Sequence, residues 1–229
     1  MLRTIASSAL FCSILLAGTA PAPGLLTARD RQDLGALDRD IAQLKTGRDN
    51  SAEAQYRLAL AYSYAAEVAM EVHDKQKSEA YAEQGIDPAQ KAVAANQNSA
   101  EYHRLLGELC GQVIPANPLM GTLKYGPCAR DEINKAIQLD SKLALAYVSR
   151  GVGNYYLPPS FGGGADAAIK DFDHAIALDP KSEDAYLWKG IALRKANRPA
   201  EARQALERAI ELDPNRLWTK QELAKIPAH

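Results

Sequence analysis

Apolar and small residues recur along this chain at intervals of three and four, a spacing that gathers them on one face of an α-helix. Leu34, Leu37, Ile41 and Leu44 share such a face and predict a helix over Arg29 to Lys45, which Gly47-Arg48-Asp49-Asn50 ends. A long helical pair follows, roughly Ala52 to Val72 and Lys77 to Ala95. Pro88 within the second member lacks a backbone donor and is expected to kink or restart it. The stretch from Ser182 to Asn215 is the most regular. Ala185, Tyr186, Lys189, Gly190 and Leu193 mark one helix, and Ala202, Leu206, Ala209 and Ile210 a second. Asn197-Arg198-Pro199 supplies the turn, with Pro199 where a helix begins, and Asp213-Pro214 ends the pair.

The same pair recurs. QKAVAANQ, NKAIQLDS, DHAIALDP and ERAIELDP align as second helices, with central alanines Ala92, Ala136, Ala175 and Ala209. Each is followed, always 15 residues later, by a small residue: Gly107, Gly151, Gly190 and Ala224. Leu44 and Ala59 keep the same interval. The reverse interval, from each small residue to the next alanine, is 33, 29, 24 and then 19. Length therefore varies within a helix pair and never between pairs. Stacking one hairpin on the next buries the core, so the link between hairpins must hold register, whereas a hairpin's own loop can lengthen at little entropic cost.

Tyr186, Gly190, Ala202, Leu206, Ala209 and Pro214 sit at the spacing of a unit of about 34 residues and resemble a tetratricopeptide repeat. The resemblance implies an all-α, right-handed superhelical solenoid of antiparallel helix pairs. It divides the chain into an N-terminal half-repeat helix (28–46), four divergent repeats (51–216), and a capping helix with a tail (217–229). The extra lengths, Pro115 to Gly121 and Leu157 to Gly164, are expected to project as loops from one edge, where insertions often serve binding. Leu157, Pro158, Pro159, Gly162 and Gly163, before the helix of Ala168, Phe172 and Ala175, look like a loop of a narrower group. That group comprises periplasmic repeat proteins associated with TRAP-type solute transporters, and relatives of the regulator-of-microtubule-dynamics family.

Residues 1–24 read differently. Arg3, the apolar run Ile5 to Leu16, and the small, breaking Gly18 to Gly24 form a signal peptide, expected to be cleaved between Pro21 and Leu25. The run is too short to span a bilayer, and no later stretch is long enough, so the mature chain is expected to be soluble and periplasmic or secreted. The chain carries a net charge of -1, and losing Arg3 leaves it near -2. With no basic excess to displace counterions, nucleic acid is not an expected partner.

Two of the three cysteines, Cys110 and Cys128, remain after cleavage and meet an oxidising compartment. They flank the Pro115–Gly126 insertion at one edge of a hairpin, which predicts a disulfide; two buried free thiols are the alternative. Gly162-Gly163-Gly164 before a helix could face an anion, but no Gly-Lys-Ser or Gly-Lys-Thr follows, and a structural turn is the simpler reading. His73, His103, His174 and His229 are scattered without metal-ligand spacing, and no nucleophile motif occurs. His103 falls at a packing position, and His174 on a solvated helix face. No enzyme, metal or cofactor is implied.

What remains is the concave surface that the resemblance supplies. Its contact positions map to Tyr56, Leu60, Ser63 and Tyr64; Arg104, Glu108 and Gln112; Leu145, Val148, Val152, Tyr155 and Tyr156; and Leu187, Ile191, Arg194 and Lys195. This groove is expected to be apolar and tyrosine-rich with cationic ends, suited to a protein or peptide partner. The alternative is that several of these residues pack against the inserted loops. A small-molecule-binding accessory of a solute transporter is the second functional reading. The repeat type that clamps a peptide carboxylate uses asparagine where this chain has Leu60, Glu108, Val152 and Ile191, so that mode is not expected.

Overall fold

The computed structural model describes residues 23–227; the expected signal peptide lies outside them apart from Pro23 and Gly24. The described residues form α1 (Pro23–Asp30), α2 (Leu34–Thr46), α3 (Ala52–Glu71), α4 (Lys75–Ala95), α5 (Ala100–Val113), α6 (Pro118–Leu139), α7 (Ala144–Tyr156), α8 (Ala165–Leu178), α9 (Glu183–Lys195), α10 (Pro199–Leu212) and α11 (Leu217–Ala224), with no strand among them.

The constant interval has a local cause. The links 96–99, 140–143, 179–182 and 213–216 are each four residues long. Each opens on Asn96, Asp140, Asp179 or Asp213, whose side-chain oxygen accepts from the N–H two residues on, at 3.2, 2.8, 3.0 and 2.8 Å. An Asx turn of this kind terminates one helix and launches the next at a fixed angle. Ser99 and Ser182 complete two of the links by capping α5 and α9. The repeated alanines Ala92, Ala136, Ala175 and Ala209 are fully buried. Opposite them the helices approach closely: a Cβ on Gly190 would come within 2.5 Å of the Leu206 side chain.

First helices α3, α5, α7 and α9 touch one another in succession, whereas α4, α6, α8 and α10 contact chiefly the first helices on either side. The stack therefore curves with its first helices on the inside.

Three expectations need correction. The N-terminal segment is two helices, because Gln32 takes a left-handed conformation (φ 54°) and Asp33 caps α2. What reads as a half-repeat is a short hairpin, with Leu25 and Ala28 of α1 buried against Leu37, Ile41, Ala61 and Val68. Of the kink or restart expected at Pro88, the restart is absent: α4 runs unbroken from Lys75 to Ala95. The first hairpin is the long helical pair expected, with helices of 20 and 21 residues joined by a three-residue turn. The Pro115–Gly126 insertion is mostly helix as well: Asn117 accepts from the Met120 N–H, Pro118 takes the first position, and α6 continues for 22 residues. Only 157–164 is a loop of the expected kind.

Cys110 and Cys128 form the expected disulfide, with an S–S distance of 2.07 Å. In the glycine loop, the N–H groups of Gly162, Gly163 and Gly164 donate to the carbonyls of Pro159, Pro158 and Asn154. The loop is thus a self-satisfied turn with no N–H set left for an anion.

Candidate functional site

The inner face runs across α3, α5, α7, α9 and α11, and the structure divides it into a filled part and an open part. In the filled part, Tyr56 is buried, stacks on Tyr102 with ring centres 5.2 Å apart, and donates to Glu101 at 2.9 Å. Leu60 is buried in the same cluster, and Val148 in the cluster of the later repeats. Arg104, also buried, donates to Glu101 at 2.6 and 2.7 Å and to Glu108. Glu108 in turn accepts from Ser63 at 2.8 Å and Ser149 at 2.9 Å, tying α3, α5 and α7 together. Leu187 and Ile191 lie in the core of the last repeats. His103 is a buried bridge to the outer layer, with its ring nitrogens against Glu132 of α6 and the Gln97 carbonyl of the link before α5.

A second cluster closes the superhelix on itself. Arg216, in the last link, has a side chain with no exposed surface. It donates to Glu67 of α3 at 2.8 Å, to Glu71, and to the Arg29 carbonyl at 3.1 Å. Arg29 of α1 reaches Asp184 at the start of α9, 155 positions away, at 3.1 Å, and its guanidinium lies 5.2 Å from the Tyr64 ring centre. First and last hairpins are therefore bridged by buried ion pairs. The carboxylates are in excess: Asp30, Glu67, Glu71, Glu183 and Asp184 face Arg29 and Arg216. Burial pushes the Glu67 carboxyl up to about 8 and that of Glu183 up to about 9, the latter helped by the charge of Asp184. Asp184 itself lies below the usual carboxylate range, because Arg29 and Arg216 outweigh its burial. Glu183 accepts from Thr219 at 2.6 Å, and its other carboxylate oxygen is buried without a partner.

The open part is aromatic. Tyr155 and Tyr156 of α7, Trp188 of α9 and Trp218 of α11 form a row of edge-to-face contacts, with ring centres 5.0 to 6.3 Å apart. Tyr156 is 49% exposed, and Tyr155, Trp188 and Trp218 are half-buried. Val152 packs below them. The exposed Lys195 sits 4.0 Å from the Tyr155 ring centre. Arg194 donates to the buried Glu222 at 2.8 Å, which Lys225 also contacts.

Of the expected contact residues, the fold thus brings Tyr155, Tyr156, Val152 and Arg194 together at an accessible surface. It places Tyr56, Leu60, Arg104, Val148, Leu187 and Ile191 in the interior, and Tyr64 and Glu108 half-buried. The groove has one cationic end, at Arg194 and Lys195, while the end at Glu67 and Glu183 is acidic. Trp188, Trp218, Arg29 and Arg216 were not among the expected residues. Arg216 carried a signal: it holds the place in its link that Ser99 and Ser182 fill with a cap.

These features define a tetratricopeptide-repeat solenoid. The tetratricopeptide repeat model matches residues 163–224. A further model, regulator of microtubule dynamics protein 1-3, matches residues 28–157, more than half of the chain, and the chain belongs to that family. That match ends at Leu157, so the long early hairpins carry it rather than the loop that follows. A thermophilic TPR protein of Thermus thermophilus aligns with 88% of this chain and 93% of its own at a TM-score of 0.58 and 19% identity. The HusA haemophore of Porphyromonas gingivalis aligns with 86% of this chain and 96% of its own at a TM-score of 0.52 and 17% identity. At those identities the likeness is one of fold. The small glutamine-rich tetratricopeptide repeat-containing protein 2 of Mycosarcoma maydis is 32% identical over 108 residues, 47% of this chain. The chain spans 29% of that relative's length.

Among the described residues no helix is long and apolar enough to cross a membrane. None of their His, Cys, Asp and Glu side chains form a group of three or more that could hold a metal ion.

Proposed function

We propose that this protein is an exported, non-enzymatic scaffold that binds a protein or peptide partner through the open part of its inner face. One observation carries the proposal: four aromatic side chains from three successive inner helices form a continuous, partly exposed row with cations at one rim. Large rigid rings of this kind give contact area at low conformational cost and are enriched at protein interfaces. The repeat fold favours the same reading, since such solenoids present a curved surface to partners. Export is supported by the character of residues 1–24 and fits a disulfide that needs an oxidising compartment.

Site-specific photocrosslinking in the native compartment tests this. A photoreactive residue at position 156 is expected to trap a discrete partner, and one at Lys170, exposed on the outer helix α8, is expected to trap none. Equal capture from both positions, or capture from 170 alone, would contradict the proposal.

A further inference from the structure

The inner face of α9 changes chemical character along its length, and the change has one direction. At the N-terminal end stand Glu183 and Asp184, with Glu67 across the superhelix; the Glu67 and Asp184 side chains retain 18% and 26% of their exposure. Counting Asp30 and Glu71, five carboxylates there share two guanidiniums, and one Glu183 oxygen has no hydrogen-bond partner. In the middle, one helical turn on from Asp184, lies Trp188, flanked by Trp218, Tyr155 and Tyr156. At the C-terminal end stand Arg194 and Lys195, with Lys225, which follows α11, on the same Glu222 carboxylate as Arg194. Glu222 pairs with Arg194 and Lys225, while Lys195 donates to the Tyr155 carbonyl at 2.6 Å and meets no carboxylate among the described residues.

From this arrangement we infer that the partner segment is bipolar and binds in one orientation. It places a lysine or arginine at the Glu67/Glu183/Asp184 end, an apolar or aromatic side chain on the Trp188–Tyr156 row, and an acidic side chain at Arg194 and Lys195. The inference rests on the scaffold reading above and adds the partner's chemistry. Charge complementarity is its ground. A cation at the first end meets surplus carboxylate in a site already largely withdrawn from water, and an anion at the other meets surplus cation. The upward displacement of the Glu67 and Glu183 carboxyls, caused chiefly by burial even though Arg216 pairs with Glu67, agrees, since a cation brought beside them offsets that burial and favours their ionised forms.

Spacing follows from helix geometry. Asp184 and Arg194 are ten residues apart on one helix, about 15 Å at 1.5 Å per residue. An extended peptide covers that distance in about four to five residues. The expected motif is therefore a basic residue and an acidic residue separated by about four positions, with an apolar residue between them. Reversing the two charges puts like against like at both ends, which is how such a groove selects against the wrong polarity.

The experiment is selection of a random nonapeptide display library on the full chain, followed by affinity measurement with the enriched peptides. Enriched sequences are expected to carry basic, apolar and acidic residues in a single order, and a synthetic peptide with the two charges exchanged to bind at least about tenfold more weakly. Glu183→Gln is expected to relax the preference for the basic residue. Lys195→Glu, at an exposed position where folding is not at stake, is expected to replace the acidic preference with a basic one. Enrichment without charge order, no enrichment at all, or affinities unmoved by both substitutions would overturn the inference. Crosslinking at position 156 still reports separately on the scaffold reading, so the two can fail independently.

Discussion

Replacing Arg216 with methionine is expected to lower the unfolding free energy by about 3–5 kcal/mol in urea denaturation. Methionine keeps most of the side chain's bulk, so the loss isolates the guanidinium. That group donates to Glu67, to Glu71 and to the Arg29 carbonyl, and it is wholly buried. Without it Glu67 loses its ion pair, Glu71 and the Arg29 carbonyl keep only the bonds donated by the Gln32 side chain and N–H, and Glu71, whose side chain is 1% exposed, is left without its counter-charge and cannot recover water in place. Lysine should rescue little, because it lacks the fork that spans both carboxylates and the carbonyl. Adding Glu71→Leu and Glu67→Leu to Arg216→Met should recover much of the loss, since an apolar substitute for a whole buried ionic cluster is often tolerated. A decrement below about 1 kcal/mol for the single variant would mean that the first and last hairpins are not held together in solution as described.

The second large effect is expected at the disulfide. Cys110 lies buried near the end of α5, and Cys128 is half-buried in α6, with Cα atoms 6.0 Å apart and 18 positions of chain between them. Closing a loop of that size stabilises by about 3 kcal/mol, chiefly by restricting the unfolded chain. In a domain of this length that corresponds to a fall in Tm of about 6–12 °C when both cysteines become alanine. The effect should be local as well. The bridge secures the N-terminal extension of α6, which holds Leu119, Met120 and Leu123 out at 80%, 56% and 74% exposure and has few other ties. Hydrogen exchange in 114–127 is therefore expected to accelerate more than in α9. A reductant should produce the same shift in the unaltered chain and none in the variant. Two freely alkylated thiols in the unreduced protein would contradict the bridge.

The repeat was legible because its determinants are local. Four alanines, their small partners and an Asn or Asp opening each link set the register over stretches shorter than 20 residues. The pairing of Cys110 with Cys128 was legible for a related reason, since both cysteines lie on one hairpin whose ends the repeat had already placed. Errors arose where local signals conflicted. Between Asn117 and Pro127 two prolines and two glycines read as loop, yet Asn117-Pro118 is also a strong helix start, and tertiary contact decides: Gly121 packs tightly on the Ile114 backbone. The break at Gln32 was hidden because a left-handed residue other than glycine leaves little trace in sequence. The closure by Arg29 and Arg216 was out of reach, because it joins positions 145 to 187 apart whose meeting depends on the accumulated curvature of every hairpin between them. That curvature buries Leu60 and Leu187 and leaves Tyr156 open.

The central claim is that the aromatic row of the inner face binds the partner. The most direct test is the affinity of the crosslinked partner, once purified, for the intact chain and for the Tyr155→Ala, Tyr156→Ala double variant, with circular dichroism confirming equal helicity. A loss of more than about tenfold is expected, in line with the roughly 2–4 kcal/mol that two aromatic anchors contribute. Unchanged affinity in a variant with its helices intact would contradict it and move the binding surface to the hairpin tips.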